Sequence, residues 1–120
     1  MEKIVFLPGA SGNIDFWKPL IEFLPKKYEK QIIGYPGFGR IAEDTRLKSF
    51  SDLQEYVTGK INSESILIAQ SMGGIFAVNK AFTDPSLIKG LVLIATSGGI
   101  DLTPFNVQDW RTEYQEQYPR

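Results

Sequence analysis

Ser71 is the residue whose surroundings best fit covalent chemistry. It lies within residues 69–74, which read A-Q-S-M-G-G, the nucleophile-elbow pattern G-x-S-x-G with alanine in the first small position. A strand that turns directly into a helix holds such a serine at a strained backbone angle, with its hydroxyl above the sheet. Small side chains at Ala69 and Gly73 let the strand and the helix approach each other. The pattern predicts a serine nucleophile for acyl transfer, and a plain helix N-cap serine is the alternative.

A glycine-rich turn at residues 8–13, with the sequence P-G-A-S-G-N, is the second candidate for chemistry. The backbone N–H groups of such a turn can bind an oxyanion or a phosphate. A phosphate loop of the form G-x-x-x-x-G-K-[ST] needs a lysine before its helix, and this turn has none. The turn therefore favours an oxyanion over a nucleotide phosphate.

No residue of the chain is an evident base for Ser71. The sequence contains no histidine and no cysteine, which removes the usual general base, the usual zinc ligands and any disulfide. Lys80 falls about two turns beyond Ser71 on the predicted helix, too far to reach its hydroxyl. Ser86 and Lys89 match an S-x-x-K pattern, but they lead into a predicted strand and so lie at the opposite end of the sheet. We expect neither a metal nor an organic cofactor.

Four short apolar runs separated by segments of helical spacing predict an α/β fold with a parallel sheet of about four strands and flanking helices. The runs are nearly continuous in Val, Ile and Leu, as in strands that are covered on both faces. The predicted strands are Ile4–Leu7, Gln31–Tyr35, Ser65–Ala69 and Gly90–Ala95, and the predicted helices are 16–24, the segment capped by Ser49, and 72–82.

A last segment, residues 106–118, places four apolar side chains along one helical stripe: Val107, Trp110, Tyr114 and Tyr118. An amphipathic helix of this kind usually packs against the body of its domain. The alternative is that residues 104–118 begin a lid helix over a site.

Composition limits the classes of protein that remain. The chain has 120 residues, 42% hydrophobic and 22% charged, with a formal net charge of −1, which is typical of one globular domain. A balanced charge argues against nucleic-acid binding. No apolar run is long enough to span a bilayer, and residues 4–7 are too short for a signal peptide. We expect a cytoplasmic protein without a membrane span.

Residues 37–42 read G-F-G-R-I-A and fit the dinucleotide-binding pattern G-x-G-x-x-A. A true fingerprint opens a helix and is followed by an acidic residue at the end of the next strand. Here the following residues carry no apolar stripe, and the next predicted strand ends in Ala69-Gln70. Nucleotide binding is therefore disfavoured.

Several motifs in order resemble the α/β-hydrolase superfamily, and in particular the N-terminal half of a small carboxylesterase-like member. They are the L-P-G-A run at 7–10, the aromatic pair at 16–17, P-G-F-G-R at 36–40, the Ser71 elbow and the apolar strand at 91–95. The resemblance extends over residues 4–99. Pro8 and Gly34 stand where the family usually has His and Asp, which are mostly structural positions.

The resemblance implies a role for particular residues. Ser71 aligns with the nucleophile, and the backbone N–H groups of Met72 and Ala10 align with the oxyanion hole. Substrate contacts are expected at Gly9, Ser11 and Gln70. The acid and the histidine of the family's triad lie on later strands, beyond Arg120, so that we expect this chain to be a truncated domain. Asp101 is a weak candidate for the acid.

The function implied is hydrolysis of a small carboxylic ester or thioester through an acyl-Ser71 intermediate, with this chain alone inactive or incomplete. A non-catalytic binding or assembly module derived from the same fold is the alternative. We expect the Ile4 and Ser65 strands to be neighbours, with Gln31 outside Ile4 and Gly90 outside Ser65. The Gly90 strand is then an open edge, which favours a homodimer or a complementing C-terminal half as partner.

Overall fold

The computed structural model describes residues 2–95, which form a four-stranded parallel sheet with helices on both faces. The strands are β1 (Lys3–Leu7), β2 (Glu29–Ile32), β3 (Ser65–Gln70) and β4 (Ile88–Ile94). The α-helices are α1 (Lys18–Phe23), α2 (Phe50–Gly59) and α3 (Gly73–Thr83), and short 3₁₀ helices cover Ile14–Trp17 and Pro85–Leu87.

The strands lie in the order β2-β1-β3-β4 and every neighbouring pair is parallel. The predicted α/β class, the parallel sheet and the order of its strands are confirmed. In the central pair, Leu7 lies opposite Ala69, so the chain segments that follow β1 and β3 leave the sheet side by side. The candidate turn and the candidate serine are therefore brought to the same edge.

β1 and β3 agree with the predicted bounds to within one residue, and β2 and β4 differ by more. The second strand was expected at Gln31–Tyr35 and is found at Glu29–Ile32. Ile33 and Tyr35 are buried beyond its end, and the Ile33 N–H still donates to the Phe6 carbonyl at 3.0 Å. Burial of the apolar residues therefore continues beyond β2, with one further hydrogen bond to β1 at Ile33. β4 begins at Ile88, two residues before the predicted start.

Alternate residues of each strand face two separate apolar layers, because successive side chains in a strand point to opposite faces. Helices α2 and α3 cover one face, and α1 covers part of the other. The first layer is built on Val5, Leu7, Ile33, Tyr35, Leu53, Val57, Ile61, Leu67, Ala69, Phe76 and Ala77. The second contains Ile4, Phe6, Trp17 and Ile68.

The helix starts follow local chemistry. Ser49 is the N-cap of α2, and its hydroxyl accepts the Asp52 N–H at 3.1 Å. The Asp52 carboxylate accepts the Lys48 N–H at 2.8 Å, one residue earlier than in a standard capping box. Pro19 occupies the first turn of α1, where its missing N–H costs nothing.

Some sequence predictions lie outside the described residues. These are the amphipathic stripe at 106–118, the lid helix at 104–118 and the candidate acid Asp101. Among the helices within residues 2–95, none is long and apolar enough to cross a membrane.

Candidate active site

Ser71 lies in the sharp turn between β3 and α3. Its backbone φ is +52°, in the left-handed region that is unfavourable for a residue with a Cβ. The Ser71 N–H donates to the Ile94 carbonyl at 3.0 Å, and its carbonyl accepts the Gly74 N–H at 3.0 Å. The serine is thus held from both sides while its backbone reverses from strand to helix, as the elbow pattern predicts.

Gly73 is small because the start of α3 rests directly on the end of β1. A Cβ built on Gly73 would lie 2.4 Å from the Leu7 carbonyl oxygen and 2.7 Å from that of Pro8. Ala69, the small residue on the strand side of the elbow, is fully buried. Both small residues of the motif therefore have the packing reason inferred from the sequence.

The turn after β1 lies against Ser71. The Gly9 N–H donates to Oε1 of Gln70 at 3.2 Å, and a Cβ built on Gly9 would be 3.2 Å from Cβ of Ser71. The Gly12 N–H donates to the Gly9 carbonyl at 2.9 Å, which closes a turn with Ala10 at its centre. Residues 8–12, which include the predicted oxyanion donor Ala10, are called the oxyanion turn.

Two backbone donors at this edge are available. Within the described part of the chain, the N–H groups of Ala10 and Met72 donate to no backbone or side-chain acceptor. Ala10 is exposed and Met72 is half-buried. Met72 precedes the eleven residues of α3, whose N-terminal end carries partial positive charge. Unused N–H groups at such a place can stabilise a developing oxyanion.

The three predicted substrate contacts, Gly9, Ser11 and Gln70, form hydrogen bonds within the protein. The Gly9 N–H donates to the Gln70 side chain, and the Gly9 carbonyl accepts the Gly12 N–H. The Ser11 hydroxyl is exposed and accepts the Asn13 N–H at 3.3 Å. Contact of these residues with a substrate stays a prediction. Their observed part is to shape the oxyanion turn.

The segment after β2 contacts the same turn, which the sequence did not reveal. The buried Tyr35 hydroxyl donates to the Pro8 carbonyl at 2.6 Å. Burial raises the pKa of the Tyr35 hydroxyl above its usual range, so it remains a donor. An aromatic residue near a strand end is expected to pack in the core, and no local sequence pattern shows which acceptor its hydroxyl binds.

The dinucleotide-like residues 37–42 form turns and open no helix, since α2 begins only at Phe50. An open cleft of about 230 Å³ lies between this segment and the oxyanion turn. Its lining residues are Ser11, Gly12, Asn13, Ile14, Asp15, Gly39, Arg40 and Ile41. Lys18 beside Asp15 holds the pKa of that carboxyl below its usual range.

Within residues 2–95, no side chain accepts a hydrogen bond from the Ser71 hydroxyl, so none is placed to act as its base. Lys80 is buried and its ammonium binds the Asp84 carboxylate at 2.8 Å. Lys89 lies near the start of β4, at the opposite end of the sheet, and pairs with Glu64 at 3.4 Å. The expectation that these lysines do not serve Ser71 agrees with their positions.

Comparison with known proteins gives the family. The family model described as the alpha/beta hydrolase family matches residues 4–119. The chain belongs to the alpha/beta hydrolase family. The resemblance inferred from the motifs is thereby confirmed for nearly the whole chain.

Curated relatives of this hydrolase-family chain are esterases by name. It is 31% identical over 95 residues to a pimeloyl-[acyl-carrier protein] methyl ester esterase of Wigglesworthia glossinidia brevipalpis, covering 79% of this chain and 36% of the relative. It is 28% identical over 94 residues to the enzyme of that name from Yersinia pestis, covering 78% and 36%. The chain thus spans little more than a third of the length of these relatives.

Solved structures share the fold at low identity. NosK from Streptomyces actuosus matches with a TM-score of 0.72 and 23% identity, over 87% of this chain and 47% of that one. A carboxylesterase structure from the thaumarchaeon Nitrososphaera gargenis matches with a TM-score of 0.72 and 19% identity, over 98% and 46%. At this level of identity, the similarities show that the arrangement of the sheet and helices is shared.

Proposed function

We propose that this chain carries the nucleophile half of a serine hydrolase that cleaves carboxylic esters or thioesters through an acyl-Ser71 intermediate. The observation that carries the proposal is the left-handed backbone of Ser71 between β3 and α3. A strained serine at a strand–helix turn, beside a turn whose Ala10 N–H has no acceptor within residues 2–95, fits acyl transfer better than an N-cap role.

In the proposed reaction the Ser71 oxygen attacks the substrate carbonyl, and its proton passes to a base. The C=O electrons move onto oxygen, whose negative charge accepts hydrogen bonds from the N–H groups of Met72 and Ala10. One such donor contributes about 10²–10³ in rate in a well-studied protease. Collapse of the tetrahedral species expels the alcohol or thiol, which takes up a proton, and water then hydrolyses the acyl-serine by the same steps.

The base is the missing part. A serine hydroxyl at its ordinary pKa needs a base within hydrogen-bond reach, and the sequence has no histidine. We infer that the imidazole and its orienting acid come from outside these 120 residues. With only the oxyanion donors and substrate binding, acceleration over water falls to about 10³–10⁴ in a comparable protease, so turnover by this chain alone is expected to be very slow.

The substrate proposed is a carboxylic ester with a small alcohol as its leaving group. The names of the curated relatives, methyl ester esterases of a carrier-bound acyl group, support this class. The partner proposed is either a second copy or a complementing C-terminal half that pairs with the outer edge of β4. Leu91, Val92, Leu93 and Ile94 are each about 40% exposed there. A cytoplasmic location stays a prediction from the sequence.

A non-catalytic binding or assembly module is the second candidate. The observation that favours it is the absence of any histidine in the chain. Such a module keeps the elbow for its fold and has no use for a reactive hydroxyl. The two candidates therefore differ in whether Ser71 can form a covalent bond with an acyl-like reagent.

Fluorophosphonate labelling in the presence of free imidazole tests the proposal, because imidazole can stand in for the missing base. We expect the intact mass to rise by one phosphonyl group, and the rate to increase with imidazole concentration. Ser71→Ala should abolish the labelling. Ser86→Ala, at the opposite end of the sheet, is the matched control and should label like the parent chain. If no Ser71-dependent adduct forms at any imidazole concentration, the binding-module candidate replaces the hydrolase.

A further inference from the structure

We propose that the segment after β2 positions the Ala10 N–H against Ser71, with Tyr35 and Gly39 as the positioning residues. This rests on the proposed function, since it assigns Ala10 an oxyanion. It assigns a purpose to a segment that neither the elbow motif nor the predicted oxyanion donors include.

Tyr35 fixes the start of the oxyanion turn. Its hydroxyl donates to the Pro8 carbonyl over 2.6 Å, inside a fully buried environment. The ring is itself held by edge-on contacts with Phe38 and Phe76, whose centroids lie 6.1 Å and 5.3 Å away. These ring contacts fix the position of the hydroxyl. Its hydrogen bond to the Pro8 carbonyl then fixes the peptide group that leads into Gly9.

Gly39 fixes the end of the same turn. A Cβ built on Gly39 would lie 2.6 Å from the Gly12 carbonyl oxygen, and one built on Gly12 would lie 2.8 Å from the Gly39 nitrogen. Both glycines have left-handed backbones, with φ of +60° and +65°. The two backbones pass each other with no room for a side chain, so displacement of one displaces the other.

Ala10 lies between these two anchor points. Gln70 holds the turn from a third side by accepting the Gly9 N–H at 3.2 Å. With Pro8, Gly9 and Gly12 each held, the direction of the Ala10 N–H is set before any substrate arrives. Preorganised donors of this kind are effective because they need no reorganisation during the reaction.

The test compares Tyr35→Phe and Gly39→Ala with two matched controls. Tyr28→Phe removes a tyrosine hydroxyl in the layer on the α1 side of the sheet. Gly37→Ala adds a Cβ at another left-handed glycine of the same segment, φ +84°, where no atom lies closer than 3.8 Å. The first measurement is amide hydrogen exchange of Gly12, whose N–H closes the turn, relative to exchange of core amides such as Val5.

We expect Gly12 to exchange about tenfold faster or more in Tyr35→Phe and Gly39→Ala at unchanged core exchange, because local opening precedes global unfolding. Both controls should leave the ratio unchanged. The second measurement is fluorophosphonate labelling with imidazole. The two variants should lower the maximal labelling rate about tenfold and leave the half-saturating reagent concentration unchanged.

The outcomes separate the two proposals. If the parent chain is not labelled at Ser71, the proposed function fails, and amide exchange still decides whether the segment holds the turn. If Gly12 exchange in Tyr35→Phe equals that in Tyr28→Phe, the positioning role is wrong. Should Gly39→Ala not fold, Tyr35→Phe decides alone, since it removes one oxygen and leaves the ring packing intact.

Discussion

At the scale of single residues, the elbow depends on two different backbone demands. Ser71 must accept a left-handed φ of +52°, which costs on the order of 1 kcal/mol or more for a residue with a Cβ. Gly73 must have no side chain, because carbonyl oxygens of β1 occupy the space of its Cβ. The first demand is conformational strain and the second is steric exclusion by rigid backbone.

Gly73→Ala should therefore destabilise the fold. A Cβ at 2.4 Å from the Leu7 carbonyl oxygen forces α3 away from β1, and overpacking against backbone costs about 3 kcal/mol. Gly59→Ala is the control, since a Cβ there meets no atom within 4 Å and should be neutral or stabilising by up to about 1 kcal/mol. Urea unfolding of both variants measures the difference. Equal midpoints would contradict this account of the elbow.

At the scale of elements, a particular residue marks the start of each α-helix that connects two successive strands. Pro19 and Ser49 mark the first turns of α1 and α2, and Gly73 marks that of α3. Among the α-helices within residues 2–95, α2 is the one whose start depends on a side-chain cap, since the Ser49 hydroxyl accepts the Asp52 N–H. A lost acceptor there leaves a helix N–H to water alone.

Ser49→Ala should lower the free energy of unfolding by about 1 kcal/mol, the usual cost of removing a serine N-cap. Ser51→Ala changes the same type of residue two positions later, where the side chain is exposed. We expect it to change stability by less than about 0.5 kcal/mol. Chemical denaturation followed by far-UV circular dichroism gives both values. A Ser51→Ala effect as large as that of Ser49→Ala would remove the capping explanation.

At the scale of the whole molecule, β2 and β4 are the edge strands of the sheet within residues 2–95, and β4 is the edge with a run of exposed apolar residues. Among the described residues, β4 pairs with β3 and no strand pairs with its outer edge. Its apolar residues are half-exposed on both faces. An open apolar edge is a template for pairing with another chain, which is the physical basis of the partner proposal.

Val92→Lys should reduce association through this edge. A lysine in an edge strand disfavours further pairing, because its ammonium must then be buried. We expect the parent chain to sediment as a species heavier than 13.5 kDa at high concentration and the variant to sediment as a monomer. Phe82→Lys, which removes an apolar side chain that is 83% exposed on α3, is the control and should not change the mass. A monomeric parent chain at every concentration would refute the homodimer and leave the complementing C-terminal half as the proposed partner.

Sequence patterns alone were enough to predict the class of fold, the order of the strands and the position of Ser71 between a strand and a helix. These follow from local signals: continuous apolar runs, the small residues around the serine, and the family's motifs in order. The errors were at strand ends, since Ile33 and Tyr35 look like strand residues and are buried beyond β2. Burial and strand pairing leave the same apolar pattern.

The contacts that hold the oxyanion turn could not be predicted and became visible in the folded chain. The Tyr35 hydroxyl reaches Pro8, 27 residues away, and Gln70 reaches Gly9 across 61 residues. Gly39 and Gly12 touch because β1 and β2 are neighbours in the sheet. Such contacts join loop segments that are distant in the chain, and they form only when the strands before those loops are packed side by side.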